Sequence, residues 1–232
     1  MNKVLIHVPH SSLKVSNKFR KKMLLSNKEF NEENYFMCDY KINKCIPFLS
    51  NNIVFKYSRI MCDVERYRDS KLEEMNKYGM GYIYEYTSLK KKILEIDKLY
   101  KEYIDKIYER HHGKIHKRVT KILNKYNECI LIDLHSYSDE TVKRIFNKEN
   151  NPDICLGVNN FYDKKLLNSA INYFNKYGYT TKINYPYAGS LIPNEYCNDN
   201  RIKSMMIEVN KRVFDSKMKK LIKKYLKMIS SN

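Results

Sequence analysis

Short apolar runs of strand length alternate along the chain with stretches whose apolar residues recur at helical spacing. The predicted strands are Val4 to Val8, Ile53 to Tyr57, Cys129 to Leu134, Ile154 to Val158, Tyr179 to Ile183 and Met205 to Val209. Each such element has an apolar face that must be buried against another layer. The alternation therefore predicts an α/β layered domain, with helices on both faces of a mostly parallel or mixed central sheet.

Three segments carry the helical signal. Leu89 to Tyr126 is too long for one ordinary globular helix, so we expect one long helix or two consecutive ones. Asp163 to Tyr177 is closed by Gly178, and Lys217 to Leu226 is amphipathic with a basic face that we expect in solvent. A chain of 232 residues usually makes one domain, and we predict a single catalytic domain over residues 1–232.

Hydropathy and cysteine usage predict a soluble, cytoplasmic protein with no membrane partner. No run of about 18 uncharged apolar residues occurs, and a strand follows directly after Met1, Asn2 and Lys3, which leaves no room for a signal peptide. The six cysteines, at positions 38, 45, 62, 129, 155 and 197, form no CxxC pair. We therefore expect reduced thiols, several of them buried, and neither disulfides nor a cysteine zinc site.

The formal charge of +18 raises the question of a nucleic-acid partner, because clustered basic residues bind phosphates. The excess is mostly lysine spread over helical stretches, and no recognisable nucleic-acid-binding motif accompanies it. We attribute the charge to a general composition that is also rich in Asn, Ile and Tyr, and we do not expect nucleic acid as a partner. The sequence leaves the oligomeric state open.

All six histidines fall in three short segments, and two of these lie at predicted strand ends. His10 follows the first strand and His135 ends the third, which is where α/β enzymes build their sites. Strand alternation sends Asp133 and His135 to the same face, where a carboxylate can fix the tautomer of a metal-bound histidine. Glu208 lies inside another apolar strand, where an unpartnered charge is costly. Together these residues indicate a metal hydrolase, whereas we expect His7 to face the core.

These histidines also have a structural interpretation. His10 fits a capping or hydrogen-bonded loop histidine as well as it fits a metal ligand. Asp133 and His135 also fit a buried hydrogen-bonded pair without any catalytic role, although the ligand interpretation is the stronger of the two.

The segment from Tyr57 to Arg66 follows another predicted strand and offers a carboxylate with two guanidinium groups. Asp63 can complete a metal triad, and Arg59 or Arg66 can hold a substrate carboxylate in bidentate fashion. A surface ion-pair network accounts for the same spacing nearly as well.

Four ordered blocks span nearly the whole chain. They are Val8-Pro9-His10-Ser11-Ser12, then Ser58-Arg59 through Asp63 and Arg66, then Asp133-Leu134-His135-Ser136, and finally Pro186-Tyr187-Ala188-Gly189 followed by Ile207-Glu208-Val209-Asn210. In type and order they resemble the N-formylglutamate amidohydrolases, a family related in fold to the zinc carboxypeptidases and so phosphorylase/hydrolase-like. The resemblance implies hydrolysis of a linear amide in a small acidic N-acyl amino acid, such as N-formylglutamate, to formate and the amino acid.

The resemblance also implies zinc, or another divalent transition metal, as the cofactor. Glu208 would be the general base, and His112 would bond the oxyanion or line the pocket. The implied metal ligands are His10, Asp63 and His135, and the implied substrate-binding residues are Arg59, Arg66, Tyr187 and Asn210.

The chain departs from the family pattern at several places. The family's Pro-Tyr-His reads Arg110-His111-His112, its Asp-x-Asn-Arg reads Asp63-Val64-Glu65-Arg66, and its Glu-x-Asn-Arg reads Glu208-Val209-Asn210-Lys211. Leu13 stands where carboxypeptidases have a glutamate ligand, so Asp63 is the predicted substitute. These departures keep two alternatives open: a zinc carboxypeptidase or N-acyl amino acid deacylase of different substrate, and a degenerate, non-catalytic protein whose basic surface binds nucleic acid.

Overall fold

The computed structural model describes residues 2–48, 51–159 and 162–231. Its described residues divide into two compact units. The first unit takes its residues from segments 1–8, 41–54 and 115–232, and the second from 9–40 and 55–114. The single domain over residues 1–232 stays a prediction. The absence of a signal peptide was predicted partly from Met1, and this residue lies outside the described residues.

The first unit is built on a sheet that has six strands among the described residues. The strands are β1 (Val4–Val8), β2 (Asn51–Val54), β3 (Cys129–Tyr137), β4 (Ile154–Gly157), β5 (Thr181–Ile183) and β6 (Ile202–Asn210). Their order is β2-β1-β3-β6-β4-β5, and neighbouring strands are parallel except β4 with β6. The predicted sheet, mostly parallel and mixed, is confirmed.

Helices account for most of the remaining regular structure. The α-helices are α1 (Asn17–Lys22), α2 (Asn27–Met37), α3 (Lys98–Tyr126), α4 (Asp139–Phe146), α5 (Lys164–Lys176) and α6 (Ser216–Ser231). Short 3-10 helices cover Ile42–Cys45, Glu74–Tyr78, Asn194–Tyr196 and Lys211–Val213. The long helical segment is one helix, but residues 89–97 of the predicted stretch are not helical. In the described part of the chain, no helix is long and apolar enough to cross a membrane.

The two faces of the sheet bury two different sets of apolar side chains, because successive residues of a strand point to opposite faces. One face contributes Val4, Ile6, Ile132, Leu156, Ile207 and their neighbours, which pack with Leu167 and Phe174 of α5 and with Ile222 and Tyr225 of α6. The other face contributes Leu5, Cys129, Leu131 and Ile202, which pack with Ile115, Val119, Ile122 and Leu123 of α3. Helices therefore cover both faces, as the sequence predicts.

The face covered by α3 becomes polar toward the carboxyl ends of its strands. His7 follows Leu5 by two residues in β1, and Asp133 follows Leu131 by two residues in β3, so each lies on the same face as the apolar residue before it. His135 continues this row. The strands thus carry an apolar half that packs on a helix and a carboxyl-terminal half that presents titratable groups.

In the second unit, capping residues fix two short helices. The Ser16 hydroxyl accepts a hydrogen bond from the backbone of α1, and Ser26 forms a capping box with Glu29 at the start of α2. The rings of Phe19 and Phe30, one from each helix, lie with centroids 5.3 Å apart. Both rings are fully buried. This apolar contact fixes α1 against α2.

The second predicted strand is shifted. Ile53 to Tyr57 was expected, but the strand found is Asn51–Val54, and the residues from 55 onward leave the ladder. The Asn51 amide donates hydrogen bonds to the carbonyls of Asn2 and Val4 at 2.8 and 3.3 Å, which anchors the strand two residues earlier than its apolar run suggests.

Candidate active site

His10 lies in the second unit, in the turn that follows β1. Its imidazole is buried, and Nε2 donates a hydrogen bond of 2.8 Å to Oδ1 of Asp63. Its carbonyl oxygen accepts the backbone N–H of Asp39 at 2.9 Å and the thiol of Cys38 at 3.3 Å. Both the backbone and the ring orientation of His10 are therefore fixed.

Asp63 accepts hydrogen bonds on both carboxylate oxygens and is fully buried. Oδ1 accepts from His10 and from the backbone N–H of Glu65 at 3.1 Å. Oδ2 accepts from Nε and Nη2 of Arg59 at 3.0 and 2.8 Å and from the Tyr84 hydroxyl at 3.1 Å. The guanidinium of Arg66 lies 3.7 Å from the same oxygen.

The chain folds back to hold Asp63 in place. The Asp63 backbone N–H donates to the carbonyl of Tyr82 at 2.8 Å, and the Tyr84 N–H donates to the carbonyl of Ile60 at 3.3 Å. Two segments that are about 20 residues apart in sequence are thereby joined, and this contact also delivers the Tyr84 hydroxyl to the carboxylate.

The charges around Asp63 favour its ionised form and the neutral form of His10. Burial raises the pKa of Asp63, but the positive charge of Arg59 and the hydrogen bond from His10 outweigh it and hold that pKa well below its usual value of 3.8. Burial, joined by the nearby Arg59 guanidinium, lowers the pKa of His10 below 6.5 despite the opposing effect of Asp63. A neutral imidazole beside an ionised carboxylate is the arrangement in which a histidine can bind a metal.

Two further carboxylates face the other ring nitrogen of His10. Nδ1 lies 3.9 Å from Oε2 of Glu65 and 3.8 Å from Oδ2 of Asp39. The Glu65 side chain is 17% exposed, whereas that of Asp39 is 4% exposed. Sequence reasoning did not single out either residue, although Glu65 lies within the block that it quoted.

His112 supports the backbone of the same segment. Its Nε2 donates to the carbonyl oxygen of Val64 at 2.8 Å, and its ring stacks on Tyr108 with centroids 4.2 Å apart. The Tyr108 hydroxyl in turn donates to the carbonyl of Arg66 at 3.0 Å. His112 and Tyr108, one helical turn apart on α3, therefore hold the residues on both sides of Glu65. The predicted role of His112 at the oxyanion stays a prediction.

In the first unit, Asp133 lies between two histidines. His7 Nδ1 forms a hydrogen bond of 2.9 Å with Asp133 Oδ1, and His135 Nε2 lies 3.2 Å from the same oxygen. All three side chains are buried. The predicted association of Asp133 with His135 on one strand face is present, and His7 joins it because β1 and β3 pair with His7 opposite Asp133.

Glu208 lies beside His135. The parallel pairing of β3 with β6 places the two residues directly opposite each other, and the antiparallel pairing of β4 with β6 places Cys155 on the other side of Glu208. The Glu208 side chain is buried. Burial also raises the pKa of the Cys155 thiol to about 12, so Cys155 stays protonated near neutral pH.

The predicted substrate residues Tyr187 and Asn210 both pack near the end of β3. The Tyr187 ring packs edge-on against Tyr137, with centroids 5.7 Å apart. The Asn210 amide donates to Asp139 Oδ1 at 2.9 Å, and its side-chain oxygen accepts the backbone N–H of Arg212 at 3.1 Å. Asn210 therefore fixes the connection that follows β6, and its substrate role, like that of Tyr187, stays a prediction.

The donor set in both units suits a divalent transition metal. Buried histidine nitrogens lie within 4.8 Å of carboxylate oxygens, as His10 and Glu65 do in the second unit and His7 and Asp133 do in the first. Imidazole and carboxylate ligands are those that zinc takes in hydrolytic sites. Five of the six cysteines are buried, in agreement with the prediction that several are. The assignment of His10, Asp63 and His135 as ligands rests on their motifs and stays a prediction.

A family model agrees with the chain over most of its length. The model described as N-formylglutamate amidohydrolase matches residues 2–214. No curated protein sequence matches the chain.

Two solved structures share the fold. A crystal structure of N-formylglutamate amidohydrolase from Ralstonia eutropha JMP134 superposes with a TM-score of 0.87 at 15% identity, covering 99% of this chain and 93% of that one. The crystal structure of a gene product from Agrobacterium tumefaciens superposes with a TM-score of 0.68 at 15% identity, covering 98% and 92%. At this identity the likeness concerns the fold alone.

Proposed function

Because the chain belongs to the N-formylglutamate amidohydrolase family, we propose that it hydrolyses the amide bond of a small acidic N-acyl amino acid, such as N-formylglutamate, with a metal-activated water. The products of that substrate would be formate and glutamate. Among the contacts described, the placement of Glu208 beside His135 gives this proposal its strongest support, because it sets a buried carboxylate next to a predicted metal ligand.

The motifs assign His10 and His135 as histidine ligands of the metal. When bound, a zinc ion supplies a water that is activated at neutral pH and a Lewis acid for the scissile carbonyl. His10 donates Nε2–H to Asp63, and this carboxylate fixes the tautomer of His10 and leaves Nδ1 as its ligating nitrogen. The His135 imidazole lies against Asp133, with Nε2 3.2 Å from Oδ1.

Glu208 would act as the general base. It would accept a proton from the attacking water and later donate that proton to the departing amine nitrogen. The carboxylate is buried next to a thiol that stays protonated, so that thiol offers no competing base near neutral pH. Carboxylates are among the side chains that act as general bases.

Arg66 is the better placed of the two predicted carboxylate-binding arginines. Arg59 already directs Nε and Nη2 at Asp63, and its side chain is only 16% exposed. The Arg66 side chain is 25% exposed and lies 3.7 Å from both Asp63 and Glu73. We assign the main contact with the substrate carboxylate to Arg66, and to Arg59 the support of Asp63.

Product analysis with purified protein tests the proposal. N-formylglutamate, N-acetylglutamate and a dipeptide with a C-terminal glutamate are compared for release of formate, acetate and free amino acid, with zinc measured per chain. The wild type should release formate and glutamate. Glu208→Gln should lose at least about 100-fold in kcat while the fold is retained, because general-base catalysis typically contributes that much.

A matched substitution provides the control. Glu140→Gln removes an exposed carboxylate that pairs with Arg144 on α4, and its turnover should equal that of the wild type. His135→Ala should lower the zinc content. Unchanged turnover in Glu208→Gln would exclude Glu208 as the base, and cleavage of the dipeptide in preference to the formyl substrate would assign the carboxypeptidase alternative.

A further inference from the structure

Asp63 is already occupied as a hydrogen-bond acceptor, which makes it a poor metal ligand. Its two oxygens accept hydrogen bonds from His10, Arg59, Tyr84 and the backbone of Glu65. A carboxylate oxygen has about two lone-pair sites, so these donors leave little capacity for an ion. Binding a metal through Oδ2 would also bring a cation against the Arg59 guanidinium, which lies 2.8 Å away.

The distance between Asp63 and His10 leads to the same conclusion. Ligand bonds to zinc are about 2.0–2.2 Å long, so two ligands of one tetrahedral ion lie about 3.4 Å apart. The separation of His10 Nε2 and Asp63 Oδ1 is 2.8 Å, which is a hydrogen bond and too short for two ligand atoms of that kind. Nε2 therefore carries the proton, and His10 would bind an ion through Nδ1.

Glu65 is the carboxylate that His10 Nδ1 faces with suitable spacing and exposure. Its Oε2 lies 3.9 Å from Nδ1, so closing by about half an ångström would reach the separation of two zinc ligands. Asp39 lies at 3.8 Å, but its side chain is almost completely buried, whereas that of Glu65 is partly exposed. A hydrolytic metal needs an open position for water and substrate, which favours the more exposed carboxylate.

The backbone around Glu65 is fixed on both sides. Its N–H donates to Asp63 Oδ1 at 3.1 Å, and the carbonyl of the preceding residue, Val64, accepts from His112. The following residue, Arg66, has its carbonyl held by Tyr108. Asp63 thus contacts both His10 and the backbone of Glu65 and would orient the two as a pair.

We propose that Glu65 supplies the carboxylate ligand of the metal and that Asp63 is a positioning residue for His10 and Glu65. The proposal rests on the metal-dependent function proposed above. Where the family pattern has Asp-x-Asn-Arg, this chain has Asp63-Val64-Glu65-Arg66, so the ligand would be a feature of this chain. In this assignment Glu65 takes the role that the sequence analysis gave to Asp63.

Metal binding, measured without reference to activity, tests the proposal. Apo protein is titrated with Zn²⁺ in competition with a chromogenic chelator, and Co²⁺-loaded protein is examined by visible absorption. The wild type should bind about one ion per chain. Glu65→Gln should weaken binding by more than about 100-fold, whereas Asp63→Asn should weaken it by about 10–100-fold, the range for residues that orient ligands.

Two further variants separate ligand loss from structural damage. Glu65→His should restore Zn²⁺ binding relative to Glu65→Gln and should alter the Co²⁺ spectrum, because a nitrogen replaces an oxygen ligand. Asp39→Asn should retain the affinity and spectrum of the wild type. Circular dichroism of each variant reports whether it is folded. If Asp63→Asn fails to fold, the Glu65→Gln, Glu65→His and Asp39→Asn variants still decide which carboxylate binds the metal.

The possible outcomes distinguish this proposal from the proposed function. A wild type that binds no zinc refutes the metal-dependent function together with this assignment. A wild type that binds zinc while Glu65→Gln retains its full affinity refutes the assignment alone, and loss of binding in Asp39→Asn with retention in Glu65→Gln assigns the ligand to Asp39.

Discussion

Substituting Asp63 by asparagine should destabilise the protein strongly, independently of any metal. The change removes one buried negative charge and leaves Arg59, whose side chain is only 16% exposed, without the carboxylate that accepts hydrogen bonds from its Nε and Nη2. Breaking a buried ion pair on one side costs about 3–5 kcal/mol, because the remaining charge is left in a poorly solvated place. Asparagine still accepts one hydrogen bond, and Arg66 keeps Glu73 at 3.7 Å, so the lower end of about 3 kcal/mol is expected.

Urea unfolding followed by circular dichroism measures this loss. A chelator is present throughout, because a metal that binds only the folded state would add its own stabilisation. Glu109→Gln is the control: its carboxylate forms an ion pair of 2.7 Å with Arg68, but the two side chains are 60% and 41% exposed. An exposed pair contributes at most about 1 kcal/mol.

A third variant tests the cause of the loss. In Asp63→Asn combined with Arg59→Met, the stranded cation is absent, so the double variant should be less destabilised than the sum of the two single variants. A loss below about 1 kcal/mol in Asp63→Asn, or strict additivity in the double variant, would refute the argument that the buried charge of Arg59 requires Asp63.

Three further predictions concern the rest of the chain. Gly157→Ala should destabilise the first unit by about 1–3 kcal/mol in urea unfolding, because the added Cβ would lie 2.1 Å from the carbonyl oxygen of Gly189. Gly113→Ala, on α3 with no atom within 4 Å of the new Cβ, should instead stabilise by about 0.5–1 kcal/mol. Burial raises the pKa of Asp153, but the hydrogen bonds that it accepts, one of them from Arg212, outweigh this and hold the pKa below 3.8. Its stabilising contribution is therefore present above pH 3.8 and is lost as the pH falls through the lower folded-state pKa. Asp153→Asn should accordingly unfold at lower urea than the wild type at pH 7, and the difference should shrink in acid.

Periodicity predicted the sheet well because burial of both sheet faces imposes a continuous apolar pattern on its strands. The bounds of β1 agree with the prediction residue for residue. β3 extends three residues past its predicted end, through His135 and Ser136, because polar residues there end the apolar signal before the backbone ladder ends. β6 is extended mainly at its start, where it begins at Ile202, three residues before the predicted Met205. Among the predicted site residues, His135 occupies the extension of β3 and lies opposite Glu208, which is inside the predicted part of β6. At such a site, the apolar pattern of the sequence does not follow the backbone pairing.

The surroundings of Asp63 were harder to predict, because they depend on contacts between distant segments. Tyr84, 21 residues away in the sequence, donates to the Asp63 carboxylate because backbone hydrogen bonds join the two segments, and no local sequence motif predicts this pairing. The helices α1 and α2, by contrast, had local signals that the sequence analysis did not use. Ser26 and Glu29 form a capping box, whose Ser-x-x-Glu spacing is visible in the sequence.

Each predicted histidine ligand lies against an aspartate of its own unit. His10 donates Nε2–H to Asp63, which Arg59 holds in turn, and His135 Nε2 lies 3.2 Å from the Asp133 oxygen that also bonds His7. Burying such polar groups without partners would cost about 1–3 kcal/mol for each, so the internal pairing is required for stability as well as for orientation. Apolar side chains of similar volume would stabilise these positions at least as well as buried ion pairs do. The presence of charged groups there is therefore better explained by the orientation they give to the imidazoles than by their contribution to folding.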